Sequence, residues 1–225
     1  MDQITLPFAD RREAGRALAA RLIDKVRDNP VIVALPRGGV PVAYEVAKAL
    51  NAPLDLLMVR KIGAEGWKEF GLGAVIDGDH PHLVLNEDVV RQIDPNPDYI
   101  RAEMQRQLKE IERRRLIYCG DRKPISLTGR TVIVVDDGIA TGGTVRAALE
   151  GVRRNSPEKV ILAVPVAPPS TLEALAALCD EIICLASPVN FGAVGAFYSN
   201  FDQTEDDEII QLLAELEKRP DIGRW

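Results

Sequence analysis

The sequence is poor in the residues that build metal cages and disulfide frameworks. It has two histidines and three cysteines in 225 residues. The cysteines, Cys119, Cys179 and Cys184, match no zinc spacing. Cys179 and Cys184 flank an expected strand and read as core residues in a reducing compartment. No apolar run approaches membrane-spanning length, and the N-terminus lacks a basic-then-apolar leader pattern. The expected location is therefore the cytoplasm, with no membrane partner. A surplus of basic charge is also missing: 28 Lys and Arg stand against 34 Asp and Glu, a net charge of −6. That argues against a nucleic-acid partner, which needs a basic face. A small anion stays possible, because a few backbone amides and an Arg can hold one. No internal repeat or low-complexity stretch is present.

The sequence does have apolar residues, at 46% enough for a sizeable core. They fall in alternating strand and helix patterns. Asp10 or a neighbour caps a first helix running to Asp28, with Ala14, Leu18, Leu22 and Val26 on one face. Val31 to Leu35 is a buried strand, Val40 to Leu50 a helix, and Leu54 to Val59 a second strand. Short strands follow at Gly71 to Asp77 and His82 to Leu85, around a turn at Gly78. Asp98 to Tyr118 is a long amphipathic helix. Later come strand Lys159 to Val164, helix Ser170 to Leu178, strand Glu181 to Leu185, a long loop, and helix Glu205 to Lys218. The fold class is α/β: a doubly wound, mostly parallel sheet with ligands outside the carboxyl ends of its strands.

One segment concentrates the chemistry. Val132 to Val135 is an apolar, β-branched strand; Asp136-Asp137 ends it; Gly138 to Gly143 turns; and Thr144 opens a helix through Val152. A strand feeding a Gly-rich turn and a helix N-terminus is an anion site, because amides converge there and glycine lets the backbone come close. Two acids beside such a cradle suit a ligand that carries hydroxyls or a metal ion next to its phosphate. A sugar phosphate fits.

This stretch resembles the phosphoribosyl-pyrophosphate signature of the type I phosphoribosyltransferases, and the chain is similar to a bacterial and archaeal group of phosphoribosyltransferase-like proteins. The resemblance runs from the first strand to the last helix. It implies one domain over 1–225, with a core at about 30–186, an inserted helix at 98–118 and a hood loop at 187–204. It also implies that Asp136 and Asp137 face the ribose hydroxyls and, indirectly, a Mg²⁺ ion. Ala140, Thr141, Gly142, Gly143 and Thr144 would wrap the 5′-phosphate. Arg37-Gly38-Gly39, one βα unit earlier, matches the pyrophosphate loop; on its residues alone it is either a second anion site or a tight corner. Arg60 and Lys61, expected at the end of the second strand, would neutralise pyrophosphate or simply be solvated.

The Gly-rich stretch Gly63 to Gly71 lies where the family carries a mobile flap, though Trp67 and Phe70 could instead pack statically. Four of the nine Phe and Tyr residues, Phe191, Phe197, Tyr198 and Phe201, crowd the loop after the last strand. They would stack on a planar acceptor, with Phe191 a candidate contact, or cover the core. Ala140 stands where the 6-oxopurine enzymes carry an Asp general base, which excludes that base at this position. The Arg113-Arg114-Arg115 run is either a phosphate clamp or a solvated face paired with Glu103, Glu110 and Glu112. Asp77, Asp79, His80 and His82 are better explained as turn residues than as a metal site.

The expectation is thus a homodimeric enzyme that takes phosphoribosyl pyrophosphate with Mg²⁺ and passes the phosphoribosyl group to a small nitrogen nucleophile. Its catalytic residues would be Arg37, Lys61, Asp136 and Asp137. A regulator that senses phosphoribosyl pyrophosphate or a nucleotide, or a fold used for phosphorolysis or hydrolysis, is the alternative, because binding and catalysis share these residues.

Overall fold

A computed structural model describes residues 5–26, 29–77 and 81–218, with the backbone alone described at 67–70. Five strands form a parallel sheet in the order β2-β1-β6-β7-β8: β1 (Pro30–Ala34), β2 (Leu54–Leu56), β6 (Thr131–Val135), β7 (Lys159–Val166) and β8 (Glu181–Ala186). The Val- and Ile-rich runs of β1, β6 and β7 are buried on both faces, as a parallel sheet with two helical layers requires. Alternation divides each run between two cores. Ile32, Ile133 and Ile161 pack toward helices α1 (Arg11–Leu22), α2 (Gly39–Leu50) and α7 (Asp206–Glu217). Val31, Val132 and Val160 pack toward helix α5 (Gly143–Arg154).

A second sheet is antiparallel, β3 (Val59–Ala64), β4 (Trp67–Ile76) and β5 (His82–Leu85), in that order. It corrects two expectations. The second parallel strand stops at Leu56 rather than Val59, so Arg60 and Lys61 belong to β3 and not to the parallel sheet. The strand expected from Gly71 begins at Trp67, so Gly63 to Gly71, the place expected for a flap, is a hairpin turning at Glu65-Gly66, with Gly63 paired to Gly71 and Ala64 to Trp67. Gly66 takes φ +74°, the left-handed value such a turn needs.

Helix α3 (Glu87–Ile93), capped by Asn86, is a further short helix beyond those expected. The long helix is α4 (Pro97–Cys119), capped by Asn96 with Pro97 in its first turn. Its Arg113 and Arg114 pair with Glu110, the expected solvated pattern. Arg115 departs from it. It is 13% exposed and bonds Asp55 at 2.9 Å and Asp77 at 3.1 Å. That buried triad fastens α4 to the end of β2 and to the hairpin sheet. It also accounts for Asp77, whose carboxyl is pushed up to about 6 by burial against the opposing pull of Arg115. His80 and Asp79 lie outside the described residues. The first helix ends at Leu22, and Asp28 also lies outside the described residues. The sixth helix, α6 (Pro169–Leu175), continues as a short 3₁₀ turn to Leu178. No helix among the described residues is long and apolar enough to cross a membrane.

Candidate active site

The site lies at the carboxyl end of the parallel sheet. β1 and β6 are neighbours, with Ala34 opposite Val135, and the Leu35 amide donates to the Val135 carbonyl at 3.0 Å. Register therefore delivers both Gly-containing turns to one place. Their contact depends on the two glycines. A Cβ on Gly38 would lie 2.0 Å from Asp137 Oδ2, and one on Gly39 would lie 2.8 Å from the Val135 carbonyl. Gly38 has φ −60°, so what demands glycine there is room, not backbone conformation. The Pro36–Arg37 peptide is cis. Arg37 is half-buried, 3.6 Å from Asp206 Oδ1, which also accepts from the Tyr118 hydroxyl at 2.7 Å.

Asp136 and Asp137 are both half-buried. The Asp137 amide donates to Asp136 Oδ1 at 2.9 Å. Burial, with the neighbouring Asp137 charge, holds the Asp136 carboxyl well above the usual carboxylate range. Burial also raises Asp137, opposed by the Arg11 guanidinium, whose Nε donates to Asp137 Oδ2 at 2.8 Å. Two desolvated acids share one ion-paired cation among the described residues. Such a pair favours hydroxyl donors or a further cation.

The turn that follows is open. Ala140, Thr141 and Gly143 are exposed, Thr144 is half-buried, and Gly142 is buried with φ +78° at the head of α5. The first amides of α5 have no intrahelical acceptor, so they converge on the turn together with the positive end of the helix dipole. The turn is braced from behind. Thr171 of α6 donates its hydroxyl to the Ala140 carbonyl at 2.7 Å, and the Ile139 amide donates to the Val166 carbonyl at 2.9 Å.

Lys61 and Arg60 do not act as a pair. Val59 packs against the α5 core, and alternation puts Lys61 on that same face. Arg60 points to α4, where its Nε donates to Gln107 Oε1 at 3.0 Å beside Arg106, Lys109 and Arg113.

The loop 187–204 carries the four aromatics as expected. Phe191 and Phe197 rings are 5.0 Å apart, Tyr198 and Phe201 5.0 Å, and Tyr198 is buried against Phe8. The N-terminal segment completes this loop. Phe8 donates to Phe197, and Ser199 and Asn200 donate back to Phe8 and Ala9, all between 2.7 and 2.9 Å. The Tyr198 hydroxyl donates to the Asp137 carbonyl at 2.5 Å, and a Cβ on Gly138 would strike Val194 at 2.5 Å, so the loop leans on the acidic turn. Phe8 and Arg11 carry no local motif that marks them as site residues, and Tyr198, expected among the stacking aromatics, instead braces the acidic turn. Arg11 follows the helix cap Asp10, and only the long-range fold brings it to Asp137. A cavity of about 880 Å³ lies elsewhere, at the amino ends of β1 and β2 between Asn29, Pro53, Arg130 and Leu213.

Comparison with known proteins agrees with this geometry. The family model of the phosphoribosyl transferase domain matches residues 10–201. Two curated proteins from two strains of Mycobacterium tuberculosis, provisionally named phosphoribosyl transferases, are each 47% identical over 206 residues, covering 92% of this chain and 46% of their own length. The chain thus spans about half the length of the curated relatives it matches. The crystal structure of the Thermus thermophilus protein TT1426 superposes with a TM-score of 0.82 at 42% identity, covering 94% of this chain and 99% of that one. By the family model over most of its length and by these relatives, the chain belongs to the phosphoribosyl transferase domain family.

Proposed function

We propose that this protein transfers the 5-phosphoribosyl group of phosphoribosyl pyrophosphate to a small nitrogen nucleophile, a nucleobase by class, and releases pyrophosphate. The observation that carries the reading is the meeting of two glycine-containing turns, 37–39 and 140–144, at one acidic pair. A donor with a phosphate at one end, a diphosphate at the other and a diol between needs that order of groups.

The 5′-phosphate sits on the amides at the head of α5, in the turn from Ala140 to Thr144. Asp136 and Asp137 hold the ribose hydroxyls. The diphosphate lies on Arg37, Gly38 and Gly39, with Lys61 reaching it from β3. Arg60, turned to α4, acts at most through the field. The C1–O bond to diphosphate breaks and its electron pair leaves with pyrophosphate. The acceptor nitrogen forms the new bond to C1, and its proton passes to water, since Ala140 offers no base. Arg37 and Lys61 meet growing negative charge on the leaving group, so they stabilise the transition state more than the ground state. Phe191, half-buried beside Phe197, lies in the loop that would cover the acceptor.

The acidic pair suits Mg²⁺, a hard cation that takes carboxylate and phosphate oxygens. Among the described residues no group of three or more His, Cys, Asp or Glu side chains is placed to hold a metal. Asp136 and Asp137 would therefore hold the ion indirectly, through ligand oxygens and water. When bound, it would neutralise diphosphate charge. In this reading the protein works as a homodimer in the cytoplasm.

The test is a screen of purines, pyrimidines and simple amines with Mg²⁺ and phosphoribosyl pyrophosphate, read as pyrophosphate release. At least one acceptor should give turnover, and Arg37→Ala or Lys61→Ala should cut its rate on the order of 10²-fold, with a smaller effect on KM. Tight binding of the donor with no turnover across the screen would replace the enzyme with a sensor.

A further inference from the structure

Arg11, the first residue of α1, belongs to none of the motifs above, yet its guanidinium touches three segments of the site. Its Nε donates to Asp137 Oδ2 at 2.8 Å. Its Nη1 donates to the Asp202 carbonyl at 2.7 Å. Its central carbon lies 3.9 Å from the centroid of the Phe201 ring. It also borders the pyrophosphate turn, where a Cβ on Gly38 would come within 3.3 Å of Nε. The side chain is 12% exposed. A planar, always-charged group with donors on several edges and faces that stack can make all these contacts at once; an ammonium cannot.

The partners fall into two groups. Asp137 belongs to the acidic turn. Phe201 and Asp202 belong to the loop that follows β8. That loop already grips the turn from the other side, through the Tyr198 hydroxyl on the Asp137 carbonyl. Asp137 is thus held by its backbone from Tyr198 and by its carboxylate from Arg11, and both holds run to one loop.

We propose that Arg11 is a positioning residue that couples the 187–204 loop to the ribose-facing acid, so that seating the loop and engaging the ligand favour one another. This rests on Asp137 as a ribose contact. The coupling is reciprocal: whatever orders the loop improves the aim of Asp137, and a ligand on Asp137 orders the loop.

Hydrogen exchange on the ligand-free protein tests the coupling directly. The amides to follow are those of Ser199 and Asn200, bonded to Phe8 and Ala9. Arg11→Gln should speed their exchange on the order of tenfold, and Asp137→Asn should speed the same amides, with the double variant no faster than the faster single one. Affinity for phosphoribosyl pyrophosphate with Mg²⁺ should fall on the order of tenfold in Arg11→Gln, and partly recover in Arg11→Lys. Phe201→Leu, which leaves both hydrogen bonds, should act in the same direction and more weakly. A merely structural Arg11 would lower the melting temperature and leave the affinity of the folded protein unchanged, which overturns the proposal. Tighter binding by Arg11→Gln also overturns it, since Arg11 would then compete with the ligand. If the wild-type protein binds no phosphoribosyl pyrophosphate, the functional reading falls while exchange still decides the coupling: independent, additive effects of Arg11→Gln and Asp137→Asn refute it.

Discussion

Gly38→Ala probes the closest contact in the site. The backbone at Gly38, φ −60° and ψ −32°, accepts alanine without strain, so any cost comes from the new methyl group. That group would lie 2.0 Å from Asp137 Oδ2 and 2.7 Å from its carboxyl carbon. To restore ordinary contact near 3.4 Å, the carboxylate must retreat by about 1.4 Å, the difference between the two distances. A retreat of that size breaks the 2.8 Å bond to Arg11. A hydrogen bond to a charged partner contributes about 1.5–3 kcal/mol, while Gly to Ala in a compatible backbone returns about 0.4–1 kcal/mol through the unfolded chain. The net loss should be about 1–2 kcal/mol, read as a shift in the urea midpoint at unchanged m-value. The same substitution in an Asp137→Ala background has no carboxylate to displace and should be neutral or slightly stabilising. Equal cost in both backgrounds would refute the argument, because the methyl group would then be acting on something other than Asp137.

The other expectations follow from particular contacts. Gly142→Val places a branched side chain at φ +78° with its Cβ 2.8 Å from Thr171 Cγ2, so competition by ribose 5-phosphate in a binding assay should disappear. Arg115→Ala leaves Asp55 and Asp77 buried without their guanidinium and should cost about 3–5 kcal/mol in chemical unfolding. Asp77 titrates near 6 in the folded state, above its ordinary 3.8. The folded protein therefore holds that proton more tightly, and this group makes stability fall as pH rises from about 4 to 6, by about 3 kcal/mol in all. In Asp77→Asn that part of the pH slope should vanish in urea melts across the interval; an unchanged slope would mean that Asp77 titrates normally.

The parallel sheet was legible because its central strands β1, β6 and β7 are Val- and Ile-rich runs with helical periods between them, a pattern that burial on both faces imposes. The acidic strand end and its glycine turn were legible for a different reason: they are local, with strand, acids, turn and helix in one stretch of chain. What sequence reading missed is non-local. Arg60-Lys61 follows Leu54 to Val59 without a break in apolar pattern, so nothing local marks the step from the parallel sheet into β3. Arg115 looks like its neighbours Arg113 and Arg114, and only the packing of α4 over Asp55 and Asp77 buries it. Arg11 lies far from Asp137 in sequence, and the loop it meets is built jointly with Phe8 and Ala9 from the opposite end of the chain.

The central claim is that one acidic pair between two anion-binding turns holds phosphoribosyl pyrophosphate. Calorimetric titration of that ligand with Mg²⁺ into the wild-type protein and into Asp136→Asn/Asp137→Asn tests it most directly, with urea melts confirming that the variant is folded. Saturable binding to the wild type is expected, with a loss of at least about 100-fold, near 2.7 kcal/mol, in the variant. Equal affinity in the two proteins, or no binding to the wild type, would contradict it.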